Sequence, residues 1–272
     1  MYKILVSMLL ALFTNASNIN LSNIEELCDK GDNIACLKCG YYFATKGDYK
    51  TAITYNKKAL NLNSKDNKPY SYLGFCYFKL ADYDKALWYY NKALELNSND
   101  PTTYYNKGLL FYNQNFYNKA IKMYKKTLEL DPKYFNAYYN MGIIYYLQHQ
   151  YAESLFSYKK SLSLNPKNAS IYINIFELEL ITNKVFDKHI EKKYRMLFQN
   201  NKEIFIKYEM LKVLQNIVLN KDDNLKQWEY KYSNVSLKSW NFSEINNWVK
   251  VQENKLKSKL NKALEVFKKN SI

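Results

Sequence analysis

Small, apolar and aromatic positions recur along this chain every 34 residues. Gly40, Gly74, Gly108 and Gly142 set the register. Four residues before them stand Cys36, Tyr70, Tyr104 and Tyr138, and three before stand Leu37, Ser71, Tyr105 and Tyr139. Three after come Phe43, Tyr77, Phe111 and Tyr145, and twelve after come Ala52, Ala86, Ala120 and Ser154. Ala59, Ala93, Thr127 and Ser161 follow, then Ser64, Ser98, Pro132 and Pro166. The pattern predicts units of two antiparallel helices. Small side chains at the Gly and Ala positions let the backbones approach, aromatics fill the space beside them, and Pro or Ser ends the second helix. One unit buries its apolar face only against its neighbours, so several must stack.

The segment from Tyr70 to Pro132 resembles tetratricopeptide-repeat (TPR) motifs. It has the large–x2–Leu–Gly–x2–Tyr opening, the Ala-x3-aromatic middle and the closing Pro. The resemblance implies an all-α fold, a right-handed superhelical α-solenoid of antiparallel helix pairs. Units are expected at 33–66, 67–100, 101–134 and 135–168, after an N-terminal helix within 17–32. A degenerate fifth unit is expected at 169–186, where Phe176 replaces the Gly and prevents the same close approach. Residues 187–272 are expected to form a helical C-terminal cap. There the period lapses, but helical patterns persist through Ile204, Tyr208, Leu211, Leu214 and Val218. A last helix is expected from an N-cap at Ser243 through Ile245, Val249, Gln252, Leu256, Leu260, Ala263 and Phe267. Trp228, Trp240 and Trp248 gather at its start. This helix either caps the repeats or associates with a partner.

Residues 1–16 have the layout of a secretory signal peptide: Lys3, the apolar run Ile4 to Phe13, then Thr14-Asn15-Ala16 before Ser17. The alternative is an uncleaved anchor, although the run is about half of the ~20 residues a spanning helix needs. The mature protein is expected to be periplasmic or secreted, with no stable membrane insertion after cleavage.

With export, four cysteines favour disulfides. Cys28 and Cys36 flank Lys30-Gly31-Asp32, a turn between two helices. Their spacing is similar to that in cysteine-rich Sel1-like repeats, where such a pair bridges consecutive helices. Cys39 and Cys76 either bridge the first helices of neighbouring repeats or remain two buried thiols.

Charge narrows the partner. The net charge of +15 is spread evenly, with 20 basic against 13 acidic residues in 17–168 and 19 against 12 in 169–272. Arg195 is the single Arg, so the bidentate guanidinium contacts that read bases are nearly absent, and no nucleic-acid partner is expected. Phosphate-loop, G-x-S-x-G and H-E-x-x-H motifs are missing from the sequence, and the two His are isolated. No enzyme activity, cofactor or metal is expected.

The resemblance implies a concave groove lined by the first helix of each unit. Carried over by position, its lining includes Leu37, Tyr41, Ala44 and Thr45, then Lys68, Ser71, Phe75, Phe78 and Lys79. It continues through Tyr105, Leu109, Tyr112 and Asn113 to Asn136, Tyr139, Ile143, Tyr146 and Leu147. A Tyr-rich lining suits a protein or peptide ligand, because rigid aromatics give large contact area and Tyr hydroxyls bond backbone groups. Tyr41 and Phe75 stand where the two-carboxylate clamp of some TPR proteins needs polar groups. The leading expectation is therefore an exported scaffold that binds a partner polypeptide. The alternatives are a Sel1-like envelope hydrolase or glycan-binding protein, and a structural subunit of an envelope assembly.

Overall fold

The computed structural model describes residues 21–219, 225, 227, 243–250, 252 and 254–269, which form fourteen α-helices and, among the described residues, no strand. The signal-peptide expectation at 1–16, and those on Trp228 and Trp240, lie outside these residues. The chain divides into two units by residue 133.

Unit one contains α1 (Leu21–Asp29), α2 (Asn33–Thr45), α3 (Tyr49–Leu62), α4 (Asn67–Lys79), α5 (Tyr83–Leu96), α6 (Pro101–Asn113) and α7 (Tyr117–Leu130). Residues 17–20 of the expected N-terminal helix lie outside the described residues. Helices α2 with α3, α4 with α5, and α6 with α7 are the antiparallel pairs, and each packs on the next. Carboxylates start most of them. Asp32, Asp66 and Asp100 accept backbone N–H groups at the head of the first helices, and Asp48 and Asp82 do so for α3 and α5. Each satisfies an otherwise orphaned donor and meets the positive end of the helix dipole.

The register glycines are contact points. A Cβ at Gly74 would lie 2.6 Å from the ring of Tyr90, and at Gly108 it would lie 2.5 Å from that of Tyr124. Both rings are fully buried and lie flat on the first helix, in space that any side chain there would fill. In the first pair, Asn56 occupies the place of the ring, over Gly40.

The turn within each pair reverses through one left-handed residue, again every 34 positions: Gly47, Ala81, Asn115, His149 and Asn183. The following N–H closes the first helix, for example Asp82 N to Tyr77 O at 2.9 Å. Ala81 holds φ +61° at a steric cost that Gly47 avoids. Ala81→Gly is therefore expected to stabilise the protein by about 0.5–1 kcal/mol, read as a rise in the urea midpoint.

Unit two contains α8 (Phe135–Leu147), α9 (Tyr151–Leu164), α10 (Ala169–Ile181), α11 (Lys188–Phe198), α12 (Lys202–Val218), α13 (Ser243–Lys250) and α14 (Asn254–Lys269). Helices α8 and α9 form the fourth pair, with Tyr158 against Gly142 and Ser154 Oγ donating to Gly142 O at 2.8 Å. At the fifth pair Phe176 takes the glycine position. It is fully buried, with its ring 4.9 Å from that of Phe186, 5.6 Å from Tyr194 and 5.4 Å from Tyr208. An aromatic cluster thus separates α10 from α11 where a glycine would let them close. Buried Glu179 accepts from Asp187 N at 3.1 Å and faces Lys159, which also pairs with Asp187 at 3.2 Å. Burial pushes the Glu179 carboxyl upward.

The expected single last helix is two. Its apolar stripe is buried at Ile245, Val249, Leu260, Ala263 and Phe267, but the helix breaks at Gln252. That amide donates to Trp248 O at 3.0 Å, so the polar residue in the stripe satisfies itself locally.

Candidate binding face

In unit one the first helices α2, α4 and α6 adjoin one another. Two links between α4 and the head of α6 fix their spacing: the Ser71 and Thr103 hydroxyls meet at 2.7 Å, and Asn67 Nδ2 donates to Asp100 at 3.5 Å. Of the residues expected to line a groove, Tyr41, Phe75, Phe78, Leu109 and Tyr112 are half-buried. Lys68, Thr45 and Asn113 are exposed. Phe75 stands edge-on to Tyr49 at 6.3 Å. Phe78 leans on Tyr83 at 6.2 Å and Tyr112 on Tyr117 at 6.1 Å, so the first residue of each second helix supports a ring on the preceding helix. These rings keep an open face while their positions are fixed. The Tyr41 hydroxyl is buried without a hydrogen-bond partner among the described residues, and burial raises its pKa.

Tyr105 is placed differently. It is 4% exposed, with its ring 5.7 Å from Tyr124 inside its own helix pair. Leu37 and Ser71 are buried too.

In unit two Tyr139, Ile143 and Tyr146 are half-buried and pack against the core. Asn174 Nδ2 donates to the Tyr139 hydroxyl at 3.4 Å, and the Tyr146 hydroxyl donates to Glu177 at 3.3 Å. Helix α10 therefore engages these positions. Burial raises the pKa of Tyr139, which leaves its hydroxyl a neutral donor.

Cys28 and Cys36 form a disulfide with Cα atoms 4.6 Å apart, joining α1 to α2. Cys39 and Cys76 are not bridged to each other; both are free and buried. Their surroundings explain why. Cys39 is surrounded by α1 and α3, where Glu25, Asp29 and Lys58 act on it, whereas Cys76 lies by Tyr90 of α5. The thiols thus have different neighbours. Among the described residues no group of three or more His, Cys, Asp or Glu could hold a metal ion, and no helix is long and apolar enough to cross a membrane.

Paired helices in a 34-residue register, three of the pairs closed by a glycine under a buried tyrosine, define an all-α protein built from helical-hairpin repeats. A TPR repeat model matches residues 77–115 and 108–149, and a tetratricopeptide repeat model matches residues 135–168. Residues 77–168 of the chain are therefore tetratricopeptide repeats. No curated protein sequence matches it. Among solved structures it is similar to one from a functional characterization of Pseudomonas aeruginosa pilF. That likeness has 19% identity and a TM-score of 0.62, and covers 76% of this chain and 92% of that one. It is also similar to MamA from Desulfovibrio magneticus RS-1, with 18% identity, a TM-score of 0.51, and 61% and 93% of the two chains covered. A third likeness is to the APC/C Cut9–Hcn1 hetero-tetramer, with 18% identity and a TM-score of 0.56, covering 70% of this chain and 40% of that one. At these identities the likeness concerns the fold.

Proposed function

We propose that this protein is an exported scaffold that binds a partner polypeptide on the first-helix face of α2, α4 and α6, without a catalytic step. The observation that carries the reading is the row of half-buried aromatics Tyr41, Phe75, Phe78 and Tyr112, held by neighbours yet open to a ligand. Rigid aromatics lose little entropy on binding and form the usual hot spots of interfaces. The disulfide supports export, since such bonds persist in oxidising compartments. The signal-peptide layout of residues 1–16 supports the same destination, periplasmic or secreted.

The test is crosslinking in the native cell followed by mass spectrometry, with wild type and Phe75→Ala/Tyr112→Ala compared at equal expression. Truncating two hot-spot aromatics is expected to reduce partner recovery by about tenfold or more, with unchanged far-ultraviolet circular dichroism. Equal recovery from both proteins would sink the proposal.

A further inference from the structure

The second helices of unit one are buried along one side only. On α5 the buried positions are Ala86, Tyr90 and Ala93, and α3 and α7 bury the equivalent positions 34 residues away. Residues three and four apart share one side of a helix, so the opposite side of each helix is left outward. Helices α3, α5 and α7 hold nine lysines against three carboxylates, a surplus of six positive charges. Two of those carboxylates are taken on their own helices, Glu95 by Lys92 at 2.7 Å and Glu129 by Lys126 at 2.9 Å. Lys57, Lys122 and Lys125 are exposed. Apolar surface lies among these charges. Trp88, on the middle helix of the three, is 52% exposed, and Leu96 two turns further on is exposed as well. The Lys92 ammonium stands 5.9 Å from the Trp88 ring, and Tyr89 meets that ring edge-on at 4.8 Å. On α7, half-buried Ile121 and Met123 line a shallow groove together with Tyr104, Lys122 and Lys125.

We propose that this second-helix face docks on the surface of an anionic lipid bilayer. The lysines meet headgroup phosphates, and Trp88 with Leu96 enters the interface, where a ring with an apolar body and a polar edge is at its most stable. Charge and side-chain chemistry select this occupant. Lysine is a hydrated point charge on a flexible stem, which suits a fluid array of headgroups, and these helices have no arginine to grip a single carboxylate in a fixed fork. A dissolved polyanion would satisfy the lysines and leave Trp88 in water, whereas a bilayer takes both. One lysine at an anionic surface contributes about fivefold in affinity. A screening length of about 8 Å at physiological salt confines that effect to lysines at the contact. The first helices lie on the other side of each pair, so docking leaves their aromatic face open, and the inference does not depend on what that face binds.

The experiment is flotation of the full-length oxidised protein with vesicles at physiological ionic strength. One set of vesicles is phosphatidylcholine alone, and the other is phosphatidylcholine mixed with phosphatidylglycerol. Every variant keeps the same N-terminal apolar run, so differences between variants report the helices. Wild type is expected to bind the anionic vesicles at least about tenfold more tightly than the neutral ones. Lys57→Gln/Lys122→Gln/Lys125→Gln is expected to lower that affinity about a hundredfold. The charge-matched Lys38→Gln/Lys68→Gln/Lys79→Gln, on first helices, is expected to lower it by less than about tenfold. Trp88→Ala is expected to lower it about tenfold. The substituted lysines of α3 and α7 and the Trp88 ring are exposed, so all three variants are expected to keep the far-ultraviolet circular dichroism of wild type. The inference is overturned if neutral and anionic vesicles bind equally, if the two lysine variants lose affinity equally, or if Trp88→Ala binds as wild type does. Tighter binding of dissolved polyglutamate than of the anionic vesicles would overturn it too, and would make the ligand an acidic polypeptide.

Discussion

Truncation of Tyr124 to alanine is expected to lower the unfolding free energy by about 3–5 kcal/mol. The side chain is fully buried, its ring rests on Gly108, and Tyr105 leans on it from the same helix pair. Its removal leaves a cavity between two helices that the backbone cannot close. The loss also reaches neighbouring pairs, because repeats are stabilised across their interfaces. The reciprocal change, Gly108→Ala, is expected to cost about 1–3 kcal/mol by overpacking, since its Cβ would lie 2.5 Å from the ring. The double variant distinguishes this contact from two unrelated defects. With the ring gone, the alanine methyl enters the space it left, so Gly108→Ala is expected to be nearly neutral in the Tyr124→Ala background. Urea unfolding followed by circular dichroism measures all three variants. Strictly additive losses would show that the ring and the glycine do not share one site.

The same contact explains how much of the fold was legible. A glycine under an aromatic ring demands one residue size on each side, so three pairs, with a fourth that sets Asn56 over Gly40, left a 34-residue trace that the sequence displays. The reversal within each pair left none. Its left-handed residue is Gly47, Ala81, Asn115, His149 or Asn183, and five places that share a backbone conformation share no residue type. The fifth pair keeps this turn although it has lost the glycine, which is why its decay looked more complete in sequence than it is. On the candidate site, periodicity identified the helix face but not each side chain's environment. Tyr105 is buried inside its own helix pair against Tyr124, while Leu109 and Tyr112 of the same helix stay partly open. The free state of Cys39 and Cys76 was equally hidden, because it depends on which neighbours surround each thiol. The break at Gln252 was visible only as a polar residue in an apolar stripe, whose amide bonds Trp248 O.

Removal of the Cys28–Cys36 bridge is expected to destabilise the N-terminal end by about 2–3 kcal/mol, the loop entropy of so short a closure. Helix α1 has nine residues, too few to persist alone in water. Besides the disulfide, Tyr55 donates to Glu25 at 2.8 Å and Lys58 pairs with Asp29 at 2.8 Å. The second pair is solvent-exposed and adds little. A Cys28→Ser/Cys36→Ser variant is therefore expected to release α1 while α2–α7 stay folded. Cys39 reports the release. Its thiol is pushed up to about 11, first by burial and then by the nearby carboxylates Glu25 and Asp29 of α1. When α1 leaves, both influences weaken, the thiolate fraction rises and the sulfur becomes accessible. Cys76, pushed up to about 12 by burial, lies by Tyr90 of α5, and no carboxylate of α1 acts on it. Labelling with a thiol-specific disulfide reagent at pH 8, resolved by peptide mass spectrometry, is expected to modify Cys39 at least about tenfold faster in the variant, with Cys76 unchanged. Equal acceleration at both cysteines would mean that the whole unit opens. No acceleration at Cys39 would mean that α1 stays docked without its bridge.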